Sequence, residues 1–198
     1  MPTGIAPGNE GTRQGSKRKR SGRYGLSCED SVTAAMAASL KTFRARIGVI
    51  SDTHGLVRPE VLEAFNSVDL IVHAGDVGNA EVLKELRSIA RVIAVRGNND
   101  KGPWAKAIPE TEIVRIGRVG VYILHNLKDL GGDPDVRSCQ VVISGHSHRP
   151  SMETRGGVLF LNPGSAGPRR FRLPITVARM TINGAAVNSE IIDLSQIS

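Results

Sequence analysis

The stretch Ile47-Gly48-Val49-Ile50-Ser51-Asp52-Thr53-His54-Gly55 decides the fold of this chain. Its first four residues are a short apolar run typical of a buried strand, and a polar turn follows at once. Pro59 then suits the first turn of a helix. Val61, Leu62 and Phe65 follow at helical spacing. Strand, polar turn and helix in this order predict the opening of a parallel α/β unit.

The same device is repeated twice further along the chain. Residues 69–73 read as a second strand ending in Ala74-Gly75-Asp76, and residues 91–95 as a third ending in residues 96–100. Between them, Asn79 is a suitable N-cap for a second helix. The apolar residues that share one face of this helix are Val82, Leu83, Leu86 and Ile89.

The second half of the chain has a different pattern, with strands separated by short turns. Residues 112–116, 119–124 and 140–144 are apolar runs typical of strands. Residues 154–158 and 182–185 contain Gly-rich and Asn-Gly turns typical of hairpins. These patterns predict an α/β fold of two packed sheets, one mainly parallel and one mainly antiparallel, with helices outside.

Composition excludes several classes of protein. Cys28 and Cys139 lie far apart, which argues against a disulfide scaffold and a cysteine zinc module. No window approaches the roughly 18 apolar residues that a spanning helix needs, so we expect no membrane association. The net charge is +7, but residues 1–46 carry a net +6 of it. Nucleic-acid binding is therefore expected only through this basic leader.

The leader itself is predicted to be disordered, and the boundary is placed at residues 1–44 against a folded domain over residues 45–198. Gly, Ser, Pro and Arg dominate its first part, and Lys17-Arg18-Lys19-Arg20 is a short basic run. A solvated tail is the simpler interpretation of that run. Residues 36–40 resemble a true start, so the preceding residues are either an over-extended start or a cleaved leader. A cytoplasmic location is expected, and a homo-oligomer is left open.

Polar residues collect where the predicted strands end, which is where open α/β sheets bind ligands. Their oxygen and nitrogen donors suit Mn²⁺, Fe, Zn²⁺ or Ni²⁺. Asp76 has two carboxylate oxygens and can bridge two cations, and such a pair can clamp a phosphoryl group. The strand-end residues are Asp52, His54, Asp76, Asn98, Asp100, His125, His146 and His148.

These blocks resemble the calcineurin-like metallophosphoesterases, with the small YfcE-type phosphodiesterase branch, which includes Vps29, as the nearest likeness. The motifs that carry the resemblance are Ser51-Asp52-Thr53-His54-Gly55, His73-Ala74-Gly75-Asp76, Arg96-Gly97-Asn98-Asn99-Asp100, His125 and Gly145-His146-Ser147-His148. The resemblance covers about residues 45–195. It implies a four-layer αββα sandwich of two mixed sheets flanked by helices, with a two-metal site.

Position by position, the resemblance implies two ligand sets and three catalytic residues. The first metal would be held by Asp52, His54, Asp76 and His148, with Asp76 as the bridge; the second would be completed by Asn98, His125 and His146; the catalytic residues would be His125, Asn98 and Asp100. Two divalent ions, with Mn²⁺ favoured, would activate a hydroxide for attack on a phosphodiester. A phosphomonoesterase and a Vps29-like binding scaffold are the alternatives, and every ligand of the pattern is present.

The chain departs from the family pattern at two places. Asn99 stands where many members carry a histidine that protonates the leaving group, so Asp100 is expected mainly to orient its neighbours. The family's usual His-Gly-His block reads His125-Asn126-Leu127 here. Because Asn99 cannot act as an acid, protonation would fall to water or His125. We therefore expect a preference for good leaving groups.

Two further features have open interpretations. Arg169, Arg170 and Arg172 follow the loop at residues 162–167, where they either grip a phosphate or ribose or are solvated arginines of a turn. His73 precedes Asp76 by three residues and is expected to be buried or to support the site.

Overall fold

A computed structural model describes residues 43–131, 134–170 and 172–197 of the chain. The basic leader expected over residues 1–44 and the alternative start at residue 36 lie almost entirely outside the described residues, and both stay predictions. No helix within the described ranges is both long enough and apolar enough to cross a membrane.

Ten strands and three short α-helices make up the described part of the chain. The strands are β1 (Arg44–Ile50), β2 (Leu70–Ala74), β3 (Arg91–Val95), β4 (Thr111–Ile116), β5 (Val119–Leu124), β6 (Val141–Ile143), β7 (Ser151–Arg155), β8 (Val158–Asn162), β9 (Thr176–Asn183) and β10 (Ala186–Asp193). The α-helices are α1 (Pro59–Ala64), α2 (Ala80–Arg87) and α3 (Pro103–Lys106), and the 3₁₀ segments are Leu127–Leu130, Pro134–Ser138 and Leu194–Gln196.

The strands form two five-stranded sheets, in the orders β10-β9-β1-β2-β3 and β4-β5-β6-β8-β7. In the first sheet β1, β2 and β3 are parallel, and β9 and β10 are antiparallel to their neighbours. In the second sheet β5, β6 and β8 are parallel, while β4 and β7 are antiparallel edge strands. The expectation of one mainly parallel and one mainly antiparallel sheet is wrong, because each sheet contains hairpins beside parallel strands: β9 and β10 in the first sheet, and β4 with β5 and β7 with β8 in the second.

The helices lie on the outer faces, which confirms the predicted α/β sandwich. The α-helices cover the first sheet, while the 3₁₀ segments at residues 127–130 and 134–138 pack on the second sheet against Tyr122 and Leu124. Asn79 caps α2 as predicted, since its side-chain oxygen accepts a hydrogen bond from the Val82 N–H at 3.2 Å. Leu62 was expected on the buried face of α1 but is 42% exposed.

The two sheets bury a shared apolar core between them. Ile47 and Val49 of β1 face Val121 and Ile123 of β5 in this core, because alternate residues of a strand point to the same side. Gly48 therefore points the other way, toward the helix layer. A Cβ atom built at this position would lie 2.9 Å from the ring of Phe65, so the ring packs directly on the strand backbone.

We predict that Gly48→Ala lowers the free energy of unfolding by about 1–3 kcal/mol, because the added methyl overpacks the fully buried Phe65 ring. Urea unfolding of metal-free protein measures the change. The double variant Gly48→Ala/Phe65→Leu is the control, and it should lose less than the two single changes sum to. Equal stability of Gly48→Ala and wild type would contradict the prediction.

Candidate metal centre

The polar segments that follow five strands meet at one edge of the sandwich. The segments are Ser51–His54 after β1, Gly75–Asp76 after β2, Gly97–Asn98 after β3, His125 after β5 and Gly145–His148 after β6. The Asp52 N–H donates to the Gly75 carbonyl at 2.9 Å, and the Gly145 N–H donates to the His125 carbonyl at 2.9 Å. The His146 N–H donates to Asp52 Oδ2 at 3.0 Å across the two sheets.

Most of the predicted ligands hold a left-handed backbone. Among the described residues, six that are not glycine have a positive φ, and five of these six are predicted ligands. The five, with their φ angles, are Asp52 (53°), His54 (47°), Asp76 (54°), His146 (67°) and His148 (57°). Such conformations cost energy and collect at functional sites, where the surroundings hold them in place. No pattern in the sequence indicates them.

The ligands predicted for the first metal converge on one point. Asp52, His54 and His148 each offer a donor atom within 4.8 Å of the others. Nε2 of His148 lies 3.2 Å from Asp52 Oδ1 and 3.4 Å from His54 Nε2. Asp76 Oδ2 lies 3.8 Å from His54 Nε2, which brings the fourth predicted ligand to the same place.

The residues predicted for the second metal lie beside this group. Asp76 Oδ1 is 3.5 Å from His125 Nε2, so the two oxygens of Asp76 face histidines of the two different sets. Asn98 Oδ1 is 3.0 Å from His146 Nδ1. Asp52, Asp76 and His125 also offer donor atoms within 4.8 Å of one another, so Asp52 reaches both sets. The sequence indicated only Asp76 as a shared residue.

Two buried atoms at this point fit metal ligation. Asp52 Oδ1 and His125 Nε2 have no hydrogen-bond partner among the described residues. His125 Nδ1 lies 2.8 Å from the Ala74 carbonyl and donates to it, which leaves the Nε2 lone pair for a ligand. Burial lowers the pKa of His125, but the Asp76 carboxylate and the Ala74 carbonyl prevail and raise it. Orphaned oxygen and nitrogen donors of this kind fit a borderline divalent ion.

Both carboxylates are held in position by hydrogen bonds. Asn99 donates its backbone N–H to Asp76 Oδ1 at 2.9 Å and its side-chain amide to Oδ2 at 2.6 Å. Burial favours the neutral form of Asp76, but His125 and the two Asn99 donors hold its pKa well below the usual range. The Ser51 hydroxyl donates to Asp52 Oδ2 at 2.8 Å. Asp52 Oδ1 therefore stays available.

Asp100, which the sequence predicts among the catalytic residues with a mainly orienting role, binds backbone groups of two loops. Its carboxylate accepts the backbone N–H groups of Val77 at 3.1 Å, Gly78 at 2.8 Å and Gly97 at 2.8 Å. The side chain is 7% exposed and links the loops after β2 and β3. Because both of its oxygens are engaged with backbone, the structure favours orientation of the ligand loops over a direct catalytic role.

Glycines and small polar residues complete the centre; the glycines beside the ligands were expected to allow sharp turns and close substrate approach, and the structure adds a packing role. A Cβ atom at Gly97 would lie 2.1 Å from Asp76 Oδ1, and one at Gly145 would lie 2.7 Å from Asp52 Oδ2. Asn162 donates to the Gly145 carbonyl at 2.7 Å and fixes the turn that carries His146 and His148. The motif around Asn162 was visible in the sequence, but its partner lies 17 residues away.

A cleft of about 440 Å³ opens beside the second ligand set. Asn98, His125 and His146 line it on the side of the centre. Arg96, which is ion-paired with Glu110, lines its other side. A small substrate can therefore reach the candidate ligands from solvent.

His73 is fully buried beneath the centre, as expected. Its Nδ1 accepts the Gly75 N–H at 3.2 Å, so its Nε2 carries the proton and donates to Thr53 Oγ1 at 2.9 Å. The Thr53 hydroxyl donates onward to the Val77 carbonyl at 2.9 Å. Burial lowers the pKa of His73 to about 4, and this neutral tautomer satisfies every partner.

We predict that His73 makes the protein less stable as the pH falls from about 6.5 to about 4. The unfolded chain binds a proton on this residue in that window and the folded chain does not. The contribution is on the order of 3 kcal/mol. Urea unfolding of chelator-treated protein at several pH values measures it. His73→Gln should show a shallower loss, because it removes this one group and leaves the rest of the chain unchanged. Equal slopes would refute the assignment.

Residues 45–185 match the family described as Calcineurin-like phosphoesterase superfamily domain. The chain is 35% identical over 158 residues to a probable metallophosphoesterase of Methanothermobacter thermautotrophicus, covering 74% of this chain and 91% of that protein. It is 30% identical over 145 residues to phosphodiesterase YfcE of Escherichia coli, covering 58% of this chain and 76% of that protein.

Solved structures of the same fold include Vacuolar Protein Sorting 29 of Cryptosporidium parvum. The TM-score is 0.63 at 21% identity, over 76% of this chain and 97% of that one. Likeness at this identity shows the fold alone. The family match and the named relatives together confirm the resemblance found in the sequence. The chain belongs to the calcineurin-like phosphoesterase superfamily and is a phosphoester hydrolase.

Proposed function

We propose that this phosphoesterase is a phosphodiesterase for small phosphate esters that works with two divalent metal ions, Mn²⁺ first among them. One observation carries the proposal. Asp76 lies between the two candidate ligand sets, because one of its oxygens faces His54 of the first set and the other faces His125 of the second. The relatives named phosphodiesterases support the choice of substrate class.

The candidate residues have two kinds of role: some would bind the ions, and others position those ligands. Asp52, His54, Asp76 and His148 would hold the first ion, and Asp76, Asn98, His125 and His146 the second. Such ions supply a nucleophile from water and stabilise the charge that develops on the phosphoryl oxygens. Asn99 fixes Asp76 with two hydrogen bonds, and Asp100 fixes the loops after β2 and β3. The substrate enters through the cleft beside His125.

A phosphomonoesterase is the nearest alternative, and paired mono- and diester substrates separate the two. A Vps29-like binding scaffold is less favoured, because the predicted ligands are all present and lie together. The cytoplasmic location, the homo-oligomer and nucleic-acid contact through the leader stay predictions from the sequence.

We predict that chelator-stripped protein does not hydrolyse bis(p-nitrophenyl) phosphate and that Mn²⁺ restores turnover. With Mn²⁺ present, Asp76→Ala should hydrolyse the diester more than about 100-fold more slowly than wild type, because it lacks the residue that both sets share. Asp69→Asn is the matched control, since this half-exposed aspartate pairs with Arg46 away from the centre. Full activity of a folded Asp76→Ala would refute the site. Faster turnover of p-nitrophenyl phosphate than of the diester would favour the monoesterase.

We predict that the enzyme prefers good leaving groups, because Asn99 is not an acid and its donors are engaged with Asp76. The rate of hydrolysis should be much higher for a p-nitrophenyl diester than for the matching alkyl diester. Asn99→His should narrow this ratio by up to about 10²-fold, the contribution typical of a positioned acid. Metal content is measured alongside as the control for the lost amide. An unchanged ratio in metal-loaded Asn99→His would contradict the prediction.

A further inference from the structure

The loop after β8 is hydrogen-bonded to the segment that follows β1, which carries the candidate ligands Asp52 and His54. The Ala166 N–H donates to the Ser51 carbonyl and the Gly167 N–H to the Asp52 carbonyl, both at 3.2 Å. The Ser165 hydroxyl also donates to the Asp52 carbonyl, at 2.9 Å. A Cβ atom at Gly167 would lie 2.5 Å from that same carbonyl oxygen. The loop is therefore seated as closely as a backbone allows.

Arg58 fastens the loop from its other side. Its Nη2 donates to the Gly167 carbonyl at 3.2 Å. Gly167 is thus held by hydrogen bonds through both its N–H and its carbonyl. The position of its backbone is therefore fixed just before the arginines. Arg170 follows three residues later, in a turn closed by the Leu173 N–H on the Arg170 carbonyl at 3.2 Å.

Arg170 directs its guanidinium to the candidate metal centre. Its Nη2 lies 3.4 Å from His54 Nε2. His54 Nε2 in turn lies 3.4 Å from His148 Nε2 and 3.8 Å from Asp76 Oδ2. The guanidinium is exposed, so it stands at the rim of the centre and not beneath it.

The charge of the neighbouring Arg169 acts on a different carboxylate. The hydroxyl and N–H of Ser195 lower the pKa of Asp193, and the charge of Arg169 adds to this effect. Asp193 lies at the end of β10, on the edge strand of the first sheet. Arg170 is the arginine that contacts a candidate ligand, and Arg169 carries the same charge on the same loop, so the two make a matched pair for testing.

We propose that Arg170 binds a non-bridging phosphoryl oxygen of the substrate. The inference rests on the proposed function, because it names the residue that holds the substrate's phosphoryl group at that site. A planar guanidinium offers paired N–H donors that match two oxygens of a phosphate, and such charge-assisted bonds are among the strong ones in proteins. Since the contact exists before and during the reaction, its loss should raise KM more than it lowers kcat.

Calorimetric titration of inorganic phosphate into Mn²⁺-loaded protein tests the inference without any turnover. We expect Arg170→Gln to weaken phosphate binding about tenfold or more. Arg170→Lys keeps the charge but loses the paired donors, so its affinity should fall between the two. Arg169→Gln should bind phosphate as wild type does. Mn²⁺ affinity is measured on the same proteins, and phosphate is titrated at saturating Mn²⁺, so that a change in metal binding is not mistaken for a change in phosphate binding.

Three results would overturn the inference: wild-type affinity in Arg170→Gln, an equal loss in Arg169→Gln, or no phosphate binding by the wild type. An equal loss would mean that general loop charge, and not a specific contact, attracts the anion. The outcome is separate from that of the proposed function. A wild type that hydrolyses no diester but binds phosphate through Arg170 would refute the phosphodiesterase and leave this contact standing.

Discussion

The structure depends on the way Asp52 joins both sheets at the end of β1. Its N–H donates to Gly75 after β2, its carboxylate accepts the N–H of His146 after β6, and its carbonyl accepts the N–H of Gly167. One residue thus ties three segments that are far apart in the chain. Because it is fully buried, each of these hydrogen bonds replaces one that water would otherwise make. The free Oδ1 is what remains for a ligand.

The close approach of these segments restricts which residues can lie next to the two carboxylates. The carboxylates of Asp52 and Asp76 can come together only where the opposing backbone lacks a side chain, and Gly145 and Gly97 supply that room. A glycine next to each ligand is therefore a packing requirement of the fold as much as a condition for substrate approach. The same limit acts at Gly48, where the helix layer rests on the strand through the Phe65 ring.

The sequence predicted the elements and the set of residues at the centre, because both follow from local patterns. Apolar runs mark strands, and Asn79 before an amphipathic segment marks a helix start. The parallel pairing of β5, β6 and β8 was not predictable. It depends on which strand of each hairpin lies at the sheet edge and which lies inside, and local sequence does not specify this. An orienting role of Asp100 was expected, but its partners were not predictable, because two of them are backbone groups 22 and 23 residues away. Long-range hydrogen bonds leave no mark on local composition.

The left-handed backbone at five candidate ligands argues that the centre binds something. Each such conformation costs on the order of 1–3 kcal/mol. Five of them together amount to a large part of the roughly 5–15 kcal/mol that stabilises a domain. Buried atoms without partners, such as Asp52 Oδ1 and His125 Nε2, add to that cost. A bound ion would offset this cost by binding the folded state alone. The strain therefore argues for a ligand at this centre, while the family match and the named relatives identify the chain as a phosphoester hydrolase.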